Sequence, residues 1–395
     1  MLFNKHKESN IFFIVIATIS VFDLAIFFYL PLLSSIRQEF QVDESLIQFS
    51  AAINVFGIGV SSIIYGTLSD AWGRKKLVLF GIVCFTIASY CISLVNSIYV
   101  LFILRFIQGL GAGVSWSVGN AIVHDIYKGK MFEKAIITLH IIIGSMLVIS
   151  PALGGYVGNI IGWRHSFQLI AFLGCILFVY CIFLLPETLQ SKKTTINIKK
   201  ILANYLILFK NPTYTKFLTI KVLMVSIAFV NVTNLPLLFV ETYNTSVENC
   251  GLLIALGASM FVIGGMMCNK LINYFSTYNI IKHSLYFIIL SSVILIIGEQ
   301  IGFLTAINIQ LIKIPYLLGI ACIFGNATHR IVSAIPELSG SASAIMITLE
   351  MFISSIGVRL VSIFYDTTIY PMEIYAIIAT LISIITLTRF HGQNN

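Results

Sequence analysis

Long apolar runs separated by short polar breaks dominate the chain, and the runs are continuous rather than alternating residue by residue. A bilayer core needs about 20 apolar residues for each spanning helix. Runs of that order fall near residues 11–33, 46–66, 77–95, 98–122, 135–159, 164–185, 217–240, 250–272, 281–303, 306–328, 340–363 and 371–388. They predict an all-α membrane protein of twelve transmembrane helices. Helices follow because lipid offers backbone N–H and C=O groups no partner outside their own segment. The continuity of the runs argues against a β-barrel, whose strands alternate. The ninth and tenth runs meet in a mixed stretch, Glu299 to Lys313. The first run exceeds a signal-peptide core and closes without a small-residue cleavage site, so it is expected to stay as a span.

One long polar connection interrupts the pattern, Leu189 to Thr215, rich in lysine and containing Asn211-Pro212. It leaves six runs before it and six after. The expected organisation is a six-helix bundle over residues 1–188, a basic cytoplasmic linker over 189–216 and a second six-helix bundle over 217–395. Parallel duplication in transporters gives such halves. A faint echo fits: Gly66 and Asp70 after the second run match Gly265 and Asn269 after the eighth. The linker composition suits a segment lying on the membrane surface, not a folded domain.

Composition and charge sharpen the picture. Hydrophobic residues make up 58% and charged residues 10%, against about 25% charged in soluble domains, so lipid is the solvent for most of the chain. With a cytoplasmic N-terminus, 18 of the 24 basic residues lie inside. Arg37, Arg164 and Lys313 fall at outer ends, and Arg105, Lys221 and Arg359 within spans. This bias satisfies the positive-inside rule and predicts a multi-pass protein of the cytoplasmic (inner) membrane with both termini cytoplasmic. It also accounts for the net charge of +8 without nucleic acid, since the charges are spread over many loops. The seven cysteines are scattered and form no CxxC pair, which points to small buried hydrophobes, not to disulfides or a metal site. Metal-ligand clusters, Ser/His/Asp sets and phosphate loops are missing from the sequence, so neither an enzyme nor a cofactor is expected.

Polar residues inside apolar runs carry the candidate chemistry, because a charge in hydrocarbon is costly unless it faces the bundle and is paired. Asp23 sits at the middle of span one and Glu350 at the middle of span eleven. Arg105, in span four, lies at a depth similar to Asp23 and is its candidate partner. These three are the candidate proton-coupling residues: a carboxyl that changes charge at the midplane is what coupling needs. Lys221, near the linker end of span seven, is expected to snorkel to the surface. Gly144, Pro151, Gly154 and Gly155 give span five a bent, slender face suited to rocking against its neighbours. Tyr29, Gln108, Asn231 and Asn234 are candidate cavity-lining residues. Between spans two and three, Gly66 and Gly73 permit close approach and turning, and Asp70 and Arg74 exceed what a simple helix cap requires.

The stretch Gly66-Thr67-Leu68-Ser69-Asp70-Ala71-Trp72-Gly73-Arg74-Lys75-Lys76 resembles the signature loop of the major facilitator superfamily at every constrained position. The resemblance implies that Gly66, Asp70, Gly73 and Arg74 form a cytoplasmic latch working with the start of span eleven. Arg105-Phe106-Ile107-Gln108-Gly109-Leu110-Gly111-Ala112 is similar to a second motif of that superfamily. Ser150-Pro151-Ala152-Leu153-Gly154-Gly155 resembles the antiporter signature of its drug exporters, with Ser150 where they carry glycine. Phe27 to Pro31, His124 to Tyr127, Gly162 to Arg164 and Gly340 to Ala344 resemble segments of the Bcr/CflA-type drug-efflux family. Phe27 replaces that family's aspartate and His124 its arginine. Asp23, one helical turn before Phe27 on the same face, is then the candidate proton carrier.

The reading is a secondary active transporter, a monomer of two rocking six-helix bundles. It is expected to exchange protons for small amphipathic or drug-like compounds, driven by the proton gradient alone. A proton-coupled uptake carrier for a specific metabolite is the alternative on the same fold. A non-transporting receptor lacks the soluble domain it would need.

Overall fold

The computed structural model describes residues 5–127, 129–189, 198–335 and 338–389. Among them, ten helices are long and apolar enough to cross a membrane. One of these, Ile141–Leu184, is two spans: Gly162 breaks it with φ 76° and ψ 166°. A further span is divided, Ala306–Ile312 and Ile314–Ser333 meeting at a 44° bend. The described crossings therefore number twelve, as the apolar runs predicted. In order they are Glu8–Phe40, Glu44–Gly66, Arg74–Ile92, Ile98–Ile126, the two parts of Ile141–Leu184, Pro212–Thr242, Val247–Leu271, Thr277–Gln300, the bent pair, Ser341–Ile363 and Tyr370–Arg389.

Breaks in the helices follow local chemistry. Span one is helical from Lys5 to Phe28, then tightens into a 3₁₀ turn, Leu30–Leu32, around Pro31. It resumes as Leu33–Phe40 and stops at Gln41, which takes a left-handed conformation. Span seven begins at Pro212, earlier than its apolar run, because Asn211 caps it by accepting from the Tyr214 N–H at 3.0 Å. Its other end carries Pro236 and unwinds into a π-turn, Leu238–Thr242. Proline removes a backbone donor there, and a single π-turn re-aims the chain. Within the linker, residues 198–210 form a helix, Ile198–Lys210.

The first six spans close around one apolar core that includes Phe22, Phe85, Ile122 and Phe167. The last six hold two clusters, one with Ile220, Leu285 and Ile323, the other with Leu295, Val358 and Met372. The halves meet along two seams. Spans two and eleven pack through Phe56 and Phe352, whose ring centroids are 4.7 Å apart, and the Ser355 hydroxyl donates to the Ala52 carbonyl at 2.8 Å. Spans five and eight pack where the backbone of Gly155 faces that of Gly251. Small residues are what let helices approach so closely in lipid. Gly154 is the tightest case: a side chain there would strike the carbonyl oxygen of Phe28 in span one.

The turn between spans two and three depends on Gly73, whose φ of +101° a side chain rarely adopts. Beyond it the Glu187 carboxylate accepts from the Arg74 N–H at 2.8 Å and the Lys75 N–H at 3.3 Å. An acid thus caps the positive end of span three. An added β-carbon at Gly73 would meet that same carboxylate. Gly73→Ala is expected to cost about 1–3 kcal/mol, read as a lower unfolding temperature of the purified protein. Gly66 differs from the expectation of close approach, since no neighbouring atom crowds it.

Candidate functional site

Two ends of the bundle are distinguished by what they carry: the linker end holds the 66–76 turn and the Ile198–Lys210 helix, and the far end lies opposite. Asp23 is fully buried between them, and neither carboxylate oxygen has a hydrogen-bond partner. The indole of Trp116 in span four faces it without completing a hydrogen bond. One turn further along span one, Ile26 and Phe27 line a small cavity between the halves. Its volume is about 10 Å³, the room of about one water. Tyr29, Asn54 and Arg105 line it from the first half, and Phe229, Val232 and Thr233 of span seven from the second. The Phe27 and Phe229 rings stack across it with centroids 6.5 Å apart.

Arg105 does not pair with Asp23, a correction to the expected partnership. Its guanidinium lies 3.8 Å from the centroid of the Tyr29 ring. It donates to Gln108 Oε1 at 2.5 Å and more weakly to the Ser50 carbonyl at 3.4 Å. Gln108 in turn donates to the Ser89 hydroxyl in span three at 2.8 Å. Gln108 and the Tyr29 ring hold the guanidinium, and Tyr29 stands six residues beyond Asp23 along span one. Gln108 is therefore an orienting residue behind Arg105, while Tyr29 does reach the cavity.

Glu350 forms an ion pair with Lys221, Nζ to Oε1 2.9 Å. Lys221 is 1% exposed, so it does not snorkel. A carboxylate across the span seven–eleven contact, Met346 at 3.3 Å and the Phe324 ring, 4.2 Å from Nζ to its centroid, hold it inward. A second buried pair joins Lys313 to Glu373 at 2.5 Å. Lys313 was expected at an outer end; it is 1% exposed because it occupies the bend of span ten and turns into the bundle. It also contacts Asn231, which donates to the Tyr316 hydroxyl at 2.5 Å. Asn231 thus faces the interior of the second half rather than the cavity, and Asn234 bonds back to the Val230 carbonyl of its own helix at 2.8 Å.

At the far end, charged groups tie the halves together. Arg37 bridges Glu44 at 2.8 Å and Glu241 at 2.9 Å, and the Ser34 hydroxyl donates to Glu241 at 2.9 Å. Arg359 of span eleven reaches the Ser45 hydroxyl at 3.0 Å. Arg37→Ala would strip this closure of its shared cation. The expected result is roughly two- to fivefold faster thiol labelling from the far side at Thr233→Cys, as about 0.5–1 kcal/mol from half-buried pairs allows.

At the linker end, Arg74 pairs with Asp125 at 3.1 Å and bonds the Ser69 hydroxyl. The side chain of Asp70 lies outside the described residues. In span five, Gly144 faces Val262 of span eight, and the Pro151 carbonyl abuts Gly251. Asp125, Glu187, Glu241 and Glu373 were not singled out from the sequence. Asp125 stands inside a recognised segment, His124 to Tyr127, whereas Glu187 follows the end of the sixth run and carries no local signal that it caps span three. Glu373 is the third residue of an apolar run that starts at 371 and reads there as a boundary charge.

Twelve helices in two halves, with charge sealed at their seam and at both ends, define a polytopic membrane transporter. The chain belongs to the Major Facilitator Superfamily, whose pattern matches residues 14–358. A bicyclomycin resistance protein homolog of Haemophilus influenzae is 20% identical over 380 residues, covering 93% of each chain. Multidrug resistance protein D of Escherichia coli is 21% identical over 351 residues, covering 87% of this chain and 86% of its own. Among solved structures, a D-xylose-proton symporter superposes with a TM-score of 0.77 at 14% identity, covering 96% and 97% of the two chains. These relatives agree with the Bcr/CflA-type resemblance, and the family is one of transporters rather than enzymes.

Proposed function

We propose that this transporter exports small amphipathic compounds across the cytoplasmic membrane in exchange for protons, as a monomer with the linker end and both termini in the cytoplasm. The observation that carries the reading is Asp23, a fully buried carboxyl without a hydrogen-bond partner, one turn from the aromatic cavity at the seam. A buried unpaired carboxylate is costly, so Asp23 favours states in which it holds a proton, a substrate cation or water. Competition between proton and substrate for one carboxyl makes an exchanger, provided each stabilises a different facing state. The drug-resistance names of the relatives support the same direction.

Residues 1–188 and 217–395 act as the two rocking bodies. The slender face of span five, around Gly144, Pro151, Gly154 and Gly155, is the sliding surface. Arg74, with Gly66, Asp70 and Gly73, latches the linker end near the start of span eleven. Arg37 and Glu241 latch the far end. Rocking exchanges one closure for the other.

Proteoliposomes with an imposed pH gradient test the proposal, with tetraphenylphosphonium as the probe. Exchange requires probe and proton to move in opposite directions. Movement in the same direction would establish the uptake alternative instead.

A further inference from the structure

The two halves carry a buried cation at the same register of their fourth helices. Arg105 lies seven residues after Ile98, where span four begins, and Lys313 seven residues after Ala306, where span ten begins. Each has a polar companion three residues on, Gln108 and Tyr316. Parallel duplication places equivalent positions at equivalent depths. The counter-charges differ. Arg105 is held by uncharged groups, Gln108, Ser50 and the Tyr29 ring. Lys313 meets the Glu373 carboxylate at 2.5 Å, with both side chains at or below 1% exposure.

Glu373 keeps one oxygen in reserve. Lys313 occupies Oε1, while the buried Oε2 has no partner. Among the described residues, the titratable groups facing the carboxyl are Lys313 and Tyr316 of span ten; Tyr375, two residues on in span twelve, faces Tyr316 and bonds the Ser226 hydroxyl. Span seven contributes the uncharged Asn231, bonded to both Lys313 and Tyr316. Spans nine and eleven surround this end of span twelve with Leu295, Val358 and Val361, in one apolar cluster with Ile369 and Met372. Glu373 stands in the first turn of span twelve. At about 1.5 Å per residue it lies roughly 5 Å below the far end.

We infer that Lys313 and Glu373 form a second proton-exchange site, reached from the far end and separate from Asp23. A proton from water adds to Glu373 Oε2, the carboxylate becomes a neutral carboxylic acid, and Lys313 keeps its charge without a counter-ion. A lone ammonium is too costly in the dry bundle but tolerable beside water. Protonation therefore favours the far end open, and proton release restores the pair and favours closure. The inference deepens the proton-exchange reading and rests on it.

Infrared difference spectra of the full chain in lipid nanodiscs, recorded between acid and neutral pH, test the site without any transported compound. In an Asp23→Asn background, acidification is expected to raise a protonated-carboxyl C=O band. Adding Lys313→Met together with Glu373→Gln should remove the component of that band that Glu373 contributes, the other carboxyls keeping theirs. The pair is replaced together because removing one partner strands the other's charge, and an unchanged unfolding temperature confirms the fold. A band of unchanged intensity in the triple variant overturns the site, as does its absence from the Asp23→Asn protein. Failure of wild type to move tetraphenylphosphonium against a pH gradient would sink the export reading, while the band would still decide the fate of this site.

Discussion

Asp23→Asn is expected to abolish pH-gradient-driven accumulation of substrate while leaving gradient-independent counterflow in place. Asparagine keeps the size and polarity of the protonated acid but cannot change charge. The variant should therefore bind and rock but no longer link rocking to a proton. Its loss of driven flux should be tenfold or more, because a carrier without its coupling group retains only leak; a tenfold change corresponds to about 1.4 kcal/mol of lost coupling. Stability separates this from a packing defect. Asp23 has no hydrogen-bond partner to lose, so the unfolding temperature should stay near that of wild type. A static buried acid would behave otherwise: Asp23→Asn would then retain full driven flux, and the carrier assignment would be wrong.

Breaking the Lys221–Glu350 pair should have the largest effect on stability. Both side chains are buried, at 1% and 5% exposure, and their charged atoms lie 2.9 Å apart. Removing one partner of such a pair costs about 3–5 kcal/mol because the other remains charged and unpaired. Lys221→Met and Glu350→Gln are each expected to fall in that range by denaturant titration in detergent. The double variant should recover most of the loss, since replacing both charges together is often neutral. Transport by the double variant then reports on function. Recovered stability with lost flux would place Glu350 among the coupling groups. Recovered stability with normal flux would make the pair a purely structural tie between spans seven and eleven.

The same pair illustrates where one-dimensional reading stops. Lys221 in isolation reads as a snorkelling lysine, because its stem is long and the membrane surface is near. Its actual course depends on span eleven presenting Glu350 across the contact, and nothing in the residues beside Lys221 encodes that rotation. Asn231 shows the complementary case. Its depth in span seven was legible, but the helix turns it toward Tyr316 and Lys313, away from the cavity that Phe229, Val232 and Thr233 line.

What the sequence by itself determined about this protein was its solvent, its twelve crossings and its family. These follow because each span must satisfy its own backbone in lipid, so length and apolarity of a single segment suffice, and because the 66–76 turn is a local motif around Gly73. Tertiary structure alone decided the pairings. Arg37 finds Glu241 across 204 residues of chain, and Lys313 finds Glu373 across 60. Such meetings depend on how helices rotate and pack, and an ion pair in hydrocarbon is held by the positions of both partners at once, which no single segment carries.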